Sequence, residues 1–143
     1  MSLKCVLLNK EFDSLAEAGY YVELLDRERK GDIRDIELQP SWDLYAASTI
    51  DEGVAKIKIG RYTADFKYYC KSLEKVCVVD IKGQVPKTKF LRNGRTKRVA
   101  GGKGWTAFRL RCKILEANYG IEVQVVEGEP YTKLAKAAGA RVL

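Results

Sequence analysis

Apolar residues recur along this chain with two different periods. Leu15, Ala18, Val22 and Leu25 fall at helical spacing, which predicts a helix starting around Glu11–Ser14 and running to about Lys30, with Gly31 as its stop. Tyr20 and Leu24 form a weaker apolar strip on another side of it. Ahead of it, Cys5–Leu8 reads as a short strand or lead-in. Strand-like runs follow at Ile33–Leu38 and Trp42–Ala46, separated by Gln39-Pro40-Ser41 with the proline at an irregularity. A polar loop is expected over Ser48–Gly53, then an alternating strand over Val54–Ile59, with Gly60 as a bulge. Tyr62–Tyr69 and Val76–Lys82 read as two further strands joined by a turn at Lys71–Glu74. Trp105, Phe108, Cys112, Leu115 and Tyr119 form a second helical stripe, ended by Gly120, with Leu110, Ile114 and Ala117 on a second apolar face. A strand over Ile121–Val126 and a short helix over Pro130–Ala138 close the chain. The pattern shows no internal repeat. A helix lying between the third and fourth strands predicts an α/β (α+β) protein with a mixed sheet flanked by helices, and a short C-terminal helix added to it.

Two of the apolar strand runs carry charge. Asp65 lies in the first, Asp80 and Lys82 in the second. Unpaired charge is costly to bury, so these positions need a reason. Side chains alternate along a strand, so Asp80 and Lys82 share one face while Val79 and Ile81 share the other. Asp65 joins Asp80 if the register of the neighbouring strand allows. Two carboxylates held close repel unless a divalent cation lies between them, and a lysine beside them can orient a water. That is a set for metal-assisted phosphodiester hydrolysis. A surface-facing strand with an Asp–Lys ion pair is the other reading, and from these three residues both stand. Glu17 adds a carboxylate from the first helix, though Ser14-Leu15-Ala16-Glu17 also fits a helix capping box.

Composition narrows the chemistry. The 143 residues contain no histidine, which excludes Ser-His-Asp and Cys-His nucleophilic catalysis and His-based metal sites. The remaining ligands are hard oxygens, suited to magnesium or manganese. Cys5, Cys70, Cys77 and Cys112 form no C-x-x-C pair and read as reduced thiols of a cytosolic protein. No apolar run approaches the ~20 residues of a membrane span, and the N-terminal apolar stretch is too short for a signal peptide. The length suits one domain, residues 1–143.

The net charge is +7, and it is localised. Between Gly83 and Gly104 lie Lys87, Lys89, Arg92, Arg95, Lys97, Arg98 and Lys103, without one acidic residue. Removing these seven from the 26 basic residues leaves 19, against 19 acidic ones. The segment also holds Pro86, Asn93-Gly94 and Gly101-Gly102, which predicts a long mobile loop with room for a small hairpin at Arg92–Arg95. A basic loop entered directly from Lys82 points to a polyanion, most simply nucleic acid. Arg109 and Lys113, four apart on the following helix, extend the patch. Trp105 reads as core rather than as a base-stacking platform, and Gly101-Gly102-Lys103-Gly104 does not meet the P-loop pattern.

The order αβββαβ, a helix-borne Glu17, Asp65 on the second core strand and Asp80-x-Lys82 on the third together resemble the PD-(D/E)XK nuclease superfamily, with its restriction-endonuclease-like core. Within it, the stretches FDSLAEAGYYVELL, DIELQP, YTADFKYY, VVDIKG and FRLRCKILEANYGIEV are similar to a family of small phage and prophage proteins. Their layout resembles junction resolvases of the endonuclease I type. The resemblance covers most of residues 12–126. It implies that Asp65, Asp80 and the backbone carbonyl of Ile81 bind Mg²⁺, with Mn²⁺ able to substitute. It also implies that Glu17 binds metal directly or through water and that Lys82 is the catalytic lysine. Ala64 stands where the superfamily's eponymous proline would be, and the basic loop is longer than the family leads one to expect. The implied activity is Mg²⁺-dependent DNA endonuclease, leaving 5′-phosphate and 3′-hydroxyl ends. Branched DNA such as a Holliday junction is the implied substrate, cut by a homodimer in the cytoplasm of a bacterial host. Cleavage of linear or single-stranded DNA, or DNA binding without catalysis, are the competing expectations.

Overall fold

Residues 4–47, 56–83 and 85–143 are described by the structure, a computed structural model. The polar loop expected at Ser48–Gly53, and the first two residues of the strand expected at Val54–Ile59, lie outside them.

The chain opens with a hairpin, β1 (Cys5–Leu7) and β2 (Lys10–Phe12), turned by Leu8 and Asn9 at φ 53° and 61°. The first helix, α1 (Leu15–Arg29), therefore starts later than its sequence start signals suggest, because Lys10–Phe12 pairs with β1 instead. Ser14 caps it, its hydroxyl accepting the Glu17 N–H at 3.1 Å, and Gly31 at φ 83° ends it.

Next, β3 (Ile33–Leu38) and β4 (Ser41–Ala46) run as one interrupted strand, and β5 (Ile57–Thr63) and β6 (Phe66–Cys70) run back along it. Both legs of this antiparallel pair break at the same place. On one side Gln39 takes φ 51° just before Pro40; on the other the chain leaves β5 at Ala64 and Asp65. Two backbone bonds staple the corner: Gln39 N–H to the Asp65 carbonyl and Ala64 N–H to the Pro40 carbonyl, each 3.0 Å. The run Tyr62–Tyr69 is thus two strands with Asp65 at the bend, rather than one strand. Opposite Gly60, the register between β4 and β5 shifts by one residue, the bulge expected there.

From β6 a turn at Lys71–Glu74 leads into β7 (Lys75–Lys82). The segment expected to be a long mobile loop is largely a formed β-hairpin, β8 (Lys87–Phe90) and β9 (Thr96–Val99), longer than the small hairpin expected at Arg92–Arg95 but turning there. After it come α2 (Trp105–Tyr119), β10 (Val123–Glu127), α3 (Glu129–Ala137) and β11 (Arg141–Val142), which pairs with β1. The central sheet has the order β10-β7-β6-β3, with β10 parallel to β7 and the other pairs antiparallel. It is the mixed sheet that the crossover helix predicts.

Helices cover both faces of that sheet. On one side Ala18, Tyr20, Tyr21 and Leu24 of α1 and Ala135 of α3 pack on Phe66, Tyr68, Val79 and Ile81. On the other, Phe108, Cys112 and Leu115 of α2 pack on Val78, Tyr62 and Val123. The strip Tyr20–Leu24, expected to be the weaker face of α1, is the deep one. Leu15, Val22 and Leu25 are only partly buried, under α3 and the first hairpin. All four cysteines are buried and free. No helix among the described residues is long and apolar enough to cross a membrane.

The contact between α1 and α3 turns on Gly19. A Cβ at this position would sit 1.8 Å from the backbone carbonyl oxygen of Tyr131. Glycine inside a helix costs about 1 kcal/mol relative to alanine, so Gly19→Ala on an isolated helix would be stabilising. Here backbone meets backbone, and α3 must move. Gly19→Ala is expected to lower stability by about 1–3 kcal/mol net, or roughly 2–10 °C in melting temperature. Thermal unfolding followed by circular dichroism checks this, and an unchanged or raised midpoint would contradict the close approach.

Candidate active site

Asp80 is the one buried charged side chain among the described residues, 4% exposed. It sits on β7, in the middle strand pairs of the sheet. Phe66 pairs with Val79 across the β6–β7 ladder, so one step back Asp65 lies opposite Asp80 on the same face. The bend at Ala64–Asp65 frees the Asp65 side chain for a ladder position: its Oδ2 accepts the Ile81 N–H at 2.7 Å, while its own N–H donates to the Val79 carbonyl at 3.2 Å. The carboxylate is thereby locked against β7. What the structure shows at Ile81 is this amide; a ligand role for its carbonyl stays an expectation.

Glu17 reaches the same place from the first turn of α1. Its carboxylate accepts from the backbone of Asp13 and lies near Ser14, so it does cap the helix. It also faces the strand carboxylates. Burial raises the Glu17 carboxyl to about 7, helped by the charge of Asp13 and then of Asp80. Burial likewise raises Asp65 to about 8, followed by the charges of Glu17 and Asp80, with the Ile81 N–H pulling the other way. A side-chain hydrogen bond between Asp65 and Asp80 adds to that rise. Holding the helix start and facing the strand carboxylates are therefore compatible for Glu17.

Lys82 follows Asp80 on the same face but does not pair with it. Its ammonium lies 4.1 Å from the centre of the Phe108 ring, against α2. None of Glu17, Asp65, Asp80 and Lys82 takes part in an ion pair among the described residues. The surface Asp–Lys ion pair that the sequence left open is therefore not what forms. Three carboxylates lie near enough to feel one another's charge, with no cation paired to them among the described residues.

Sequence reading did not pick out the side chains that hold Asp80. Tyr62, buried on β5, donates its hydroxyl to Asp80 Oδ2, and the Cys112 thiol points at that hydroxyl from α2 at 4.0 Å. Burial and this bond raise the Tyr62 hydroxyl far above its ordinary range, so it stays a donor. Tyr62 was visible only as an apolar strand residue. Its role follows from strand register, which the alternation does not encode.

Among the described residues no three Asp, Glu, Cys or His side chains are close enough to form a ready-made metal site. The chemistry of the donors nonetheless fits a hard divalent cation. They are oxygens, two are buried or nearly so, they repel one another, and no positive group offsets them.

A cleft of 120 Å³ opens beside Lys82, lined by Gly83, Gly102, Lys103, Gly104, Trp105 and Phe108. Trp105 packs on Phe108 at 5.5 Å between ring centres and closes on Gly101 and Pro86, so it anchors the hairpin base, as core rather than as a base platform. The basic side chains expected to meet DNA are all exposed: Lys87, Lys89, Arg92, Arg95, Lys97 and Arg98 on the hairpin, Lys103 after it, and Arg109 and Lys113 on α2. Lys87 pairs with Glu127 at 3.3 Å, which ties β8 to the end of β10. The others make no ion pair among the described residues. Elsewhere Arg27, Arg29, Lys30, Lys58 and Lys67 each do.

An α/β sheet with a carboxylate cluster at the mid-strand bend and a cationic hairpin beside it is the class of protein this geometry defines. The chain belongs to the family described as Protein of unknown function (DUF1064), whose model matches residues 2–98. That span contains Glu17, Asp65, Asp80 and Lys82 and most of the basic hairpin. No curated protein and no solved structure matches the chain.

Proposed function

We propose that this protein is a Mg²⁺-dependent DNA endonuclease of the PD-(D/E)XK type, acting by preference on branched DNA. The observation that carries the reading is the pair Asp65 and Asp80, opposite each other on adjacent strands with no ion-pair partner among the described residues, with Glu17 near enough to feel their charge and a basic hairpin, mostly without ion pairs, beside Lys82. Asp65 and Asp80 would hold the ion, with Glu17 direct or through water; Mn²⁺ would substitute. The bound ion supplies charge stabilisation for the phosphorane-like transition state. Tyr62 and the Ile81 N–H keep one oxygen of each aspartate fixed, so the other is presented in a set direction. Lys82, held on Phe108 beside the cleft, positions the attacking water and offsets the charge of the scissile phosphate. In-line attack breaks the P–O3′ bond, leaving a 3′-hydroxyl and a 5′-phosphate. The hairpin, Lys103, Arg109 and Lys113 would neutralise phosphates along the bound strands.

Cutting two strands of a junction calls for two sites, so a homodimer belongs to the proposal. The Tyr20–Leu24 strip cannot serve as its interface, since it is core; of the second apolar face of α2, Leu110 is exposed.

The test is cleavage of labelled four-way junction and linear duplex of the same sequence, with Mg²⁺, Mn²⁺ or chelator. Junction cleavage at least tenfold faster than duplex cleavage, abolished by chelator, is the expected result. Equal cleavage of both would remove the branched-DNA preference. Binding without cleavage under either metal would favour a non-catalytic DNA-binding protein.

A further inference from the structure

Phe90 is the most exposed large apolar side chain among the described residues, at 82%, and its neighbour Leu91 is 41% exposed. Neither belongs to a core cluster. Both sit at the tip of the β8–β9 hairpin. The tip is well built: Leu91 N–H bonds the Arg95 carbonyl at 2.8 Å, Gly94 N–H bonds the Leu91 carbonyl at 3.1 Å with Gly94 at φ 78°, and Arg95 N–H bonds the Asn93 side chain at 3.0 Å. The base is anchored by the Lys87–Glu127 pair and by Pro86 and Gly101 against Trp105. Phe90 is thus presented at the end of a held, two-stranded arm.

Register sorts the arm into two faces. Lys87, Lys89 and Lys97 share one with Val99; Thr88, Phe90, Thr96 and Arg98 share the other. Arg92 and Arg95 flank the tip. An apolar ring surrounded by cations, with no acidic residue in the arm, calls for a ligand that is a polyanion on its outside and aromatic within. Nucleic acid is that ligand, and a two-stranded ribbon has the width of a duplex groove. In continuous duplex the base faces are covered by their neighbours. A phenyl ring finds a free face only where the stack is open.

We propose that Phe90 stacks on a base exposed where DNA is branched, gapped or bulged, while the surrounding cations hold the phosphates, so that this ring supplies the preference for opened over continuous DNA. The inference deepens the nuclease reading and rests on it, but its test needs no cleavage.

Binding is measured by fluorescence anisotropy in chelator, with labelled four-way junction, three-nucleotide-bulge and continuous duplex DNA of matched length. Wild-type protein is expected to favour the opened forms, and Phe90→Ala to lose roughly tenfold in affinity for them. Its affinity for continuous duplex, the slope of log affinity against log salt, and its melting temperature should stay at wild-type values. Phe90→Trp should restore the preference, and its indole emission should change on binding junction but not duplex. Equal weakening on all three DNAs, or no weakening, would overturn the inference, as would an emission unaltered by junction. Vesicles of phosphatidylcholine with 30% phosphatidylserine test the other surface that an apolar tip among cations could meet (about one-third anionic lipid is ample for polybasic attraction); Phe90-dependent vesicle binding with Phe90-independent DNA binding would also overturn it. Wild-type protein that binds no DNA would sink the inference and the nuclease reading together. Stacking that persists in a protein without cleavage would sink the nuclease reading alone.

Discussion

Asp80→Asn should reduce Mg²⁺-dependent cleavage by about a thousandfold or more, and at the same time raise the melting temperature of the metal-free protein. The first effect follows from the nuclease reading, in which metal binding stabilises transition-state charge by several kcal/mol, each 1.4 kcal/mol being tenfold in rate. The second follows from burial. Asp80 lies 4% exposed, hydrogen-bonded by Tyr62 and to Asp65, with no ion-pair partner among the described residues. Asparagine keeps the shape and an acceptor for Tyr62, while removing a charge that Asp65 and Glu17 both oppose. Opposite signs for activity and stability mark a residue held for chemistry rather than for folding. Lys82→Met is the companion variant. It should lose cleavage to a similar degree yet keep the stabilisation that Mg²⁺ confers, whereas Asp80→Asn should lose both. Single-turnover cleavage and thermal unfolding with and without Mg²⁺ separate the four outcomes. An Asp80→Asn protein that cuts at the wild-type rate would move the active site elsewhere.

Much of this site was readable from residue order because its key pair obeys a local rule. Asp80 and Lys82 lie two apart in a strand, and alternation alone puts them on one face. The α2 stripe of Phe108, Cys112 and Leu115, and the helix stop at Gly120, are equally local. What was not readable depends on partners distant in the chain. Tyr62–Tyr69 keeps a strand pattern throughout, so the bend at Asp65 leaves no trace in it; the break is imposed by Gln39 and Pro40 across the ladder. The two faces of α1 cannot be ranked from the sequence, because α3 and the first hairpin cover its far side and both strips are apolar. The β8–β9 hairpin has no buried face, hence no apolar period, and its lysines and threonines looked like loop. Ser14 caps α1 as its signature suggests, and the Glu17 carboxylate faces Asp65 and Asp80 only because the first turn of α1 packs near the C-terminal end of β7. A Cβ on Gly128, after β10, would sit within 2.9 Å of both Ala16 and Ile81, which shows how tightly that junction is drawn.

The coupling of these carboxylates also makes stability depend on pH. In the metal-free protein Asp65 is raised to about 8 and Glu17 to about 7, both above their unfolded values near 4. The folded state therefore binds more protons than the unfolded one between those limits. That contribution to stability is fully present below about pH 4 and is lost as pH rises through 7 and 8. Histidine, which would ordinarily dominate this window, is absent from the chain. Each unit of raised pKa corresponds to about 1.4 kcal/mol, and partial exposure and coupling of the two groups reduce the sum, so a fall of roughly 5–10 °C in melting temperature from pH 6 to pH 9 is expected in chelator. Mg²⁺ would require the deprotonated carboxylates, so its stabilisation should be small at pH 6 and grow toward pH 9, flattening the profile. Asp65→Asn should flatten it without metal, by removing the most strongly raised group. Thermal unfolding from pH 5 to 9, with chelator or with 10 mM Mg²⁺ (about the level used to saturate millimolar carboxylate sites), measures all three profiles. A metal-free midpoint that stays constant or climbs with pH would show that the three carboxylates do not share a low-dielectric site. A Mg²⁺ effect independent of pH would place the ion away from them.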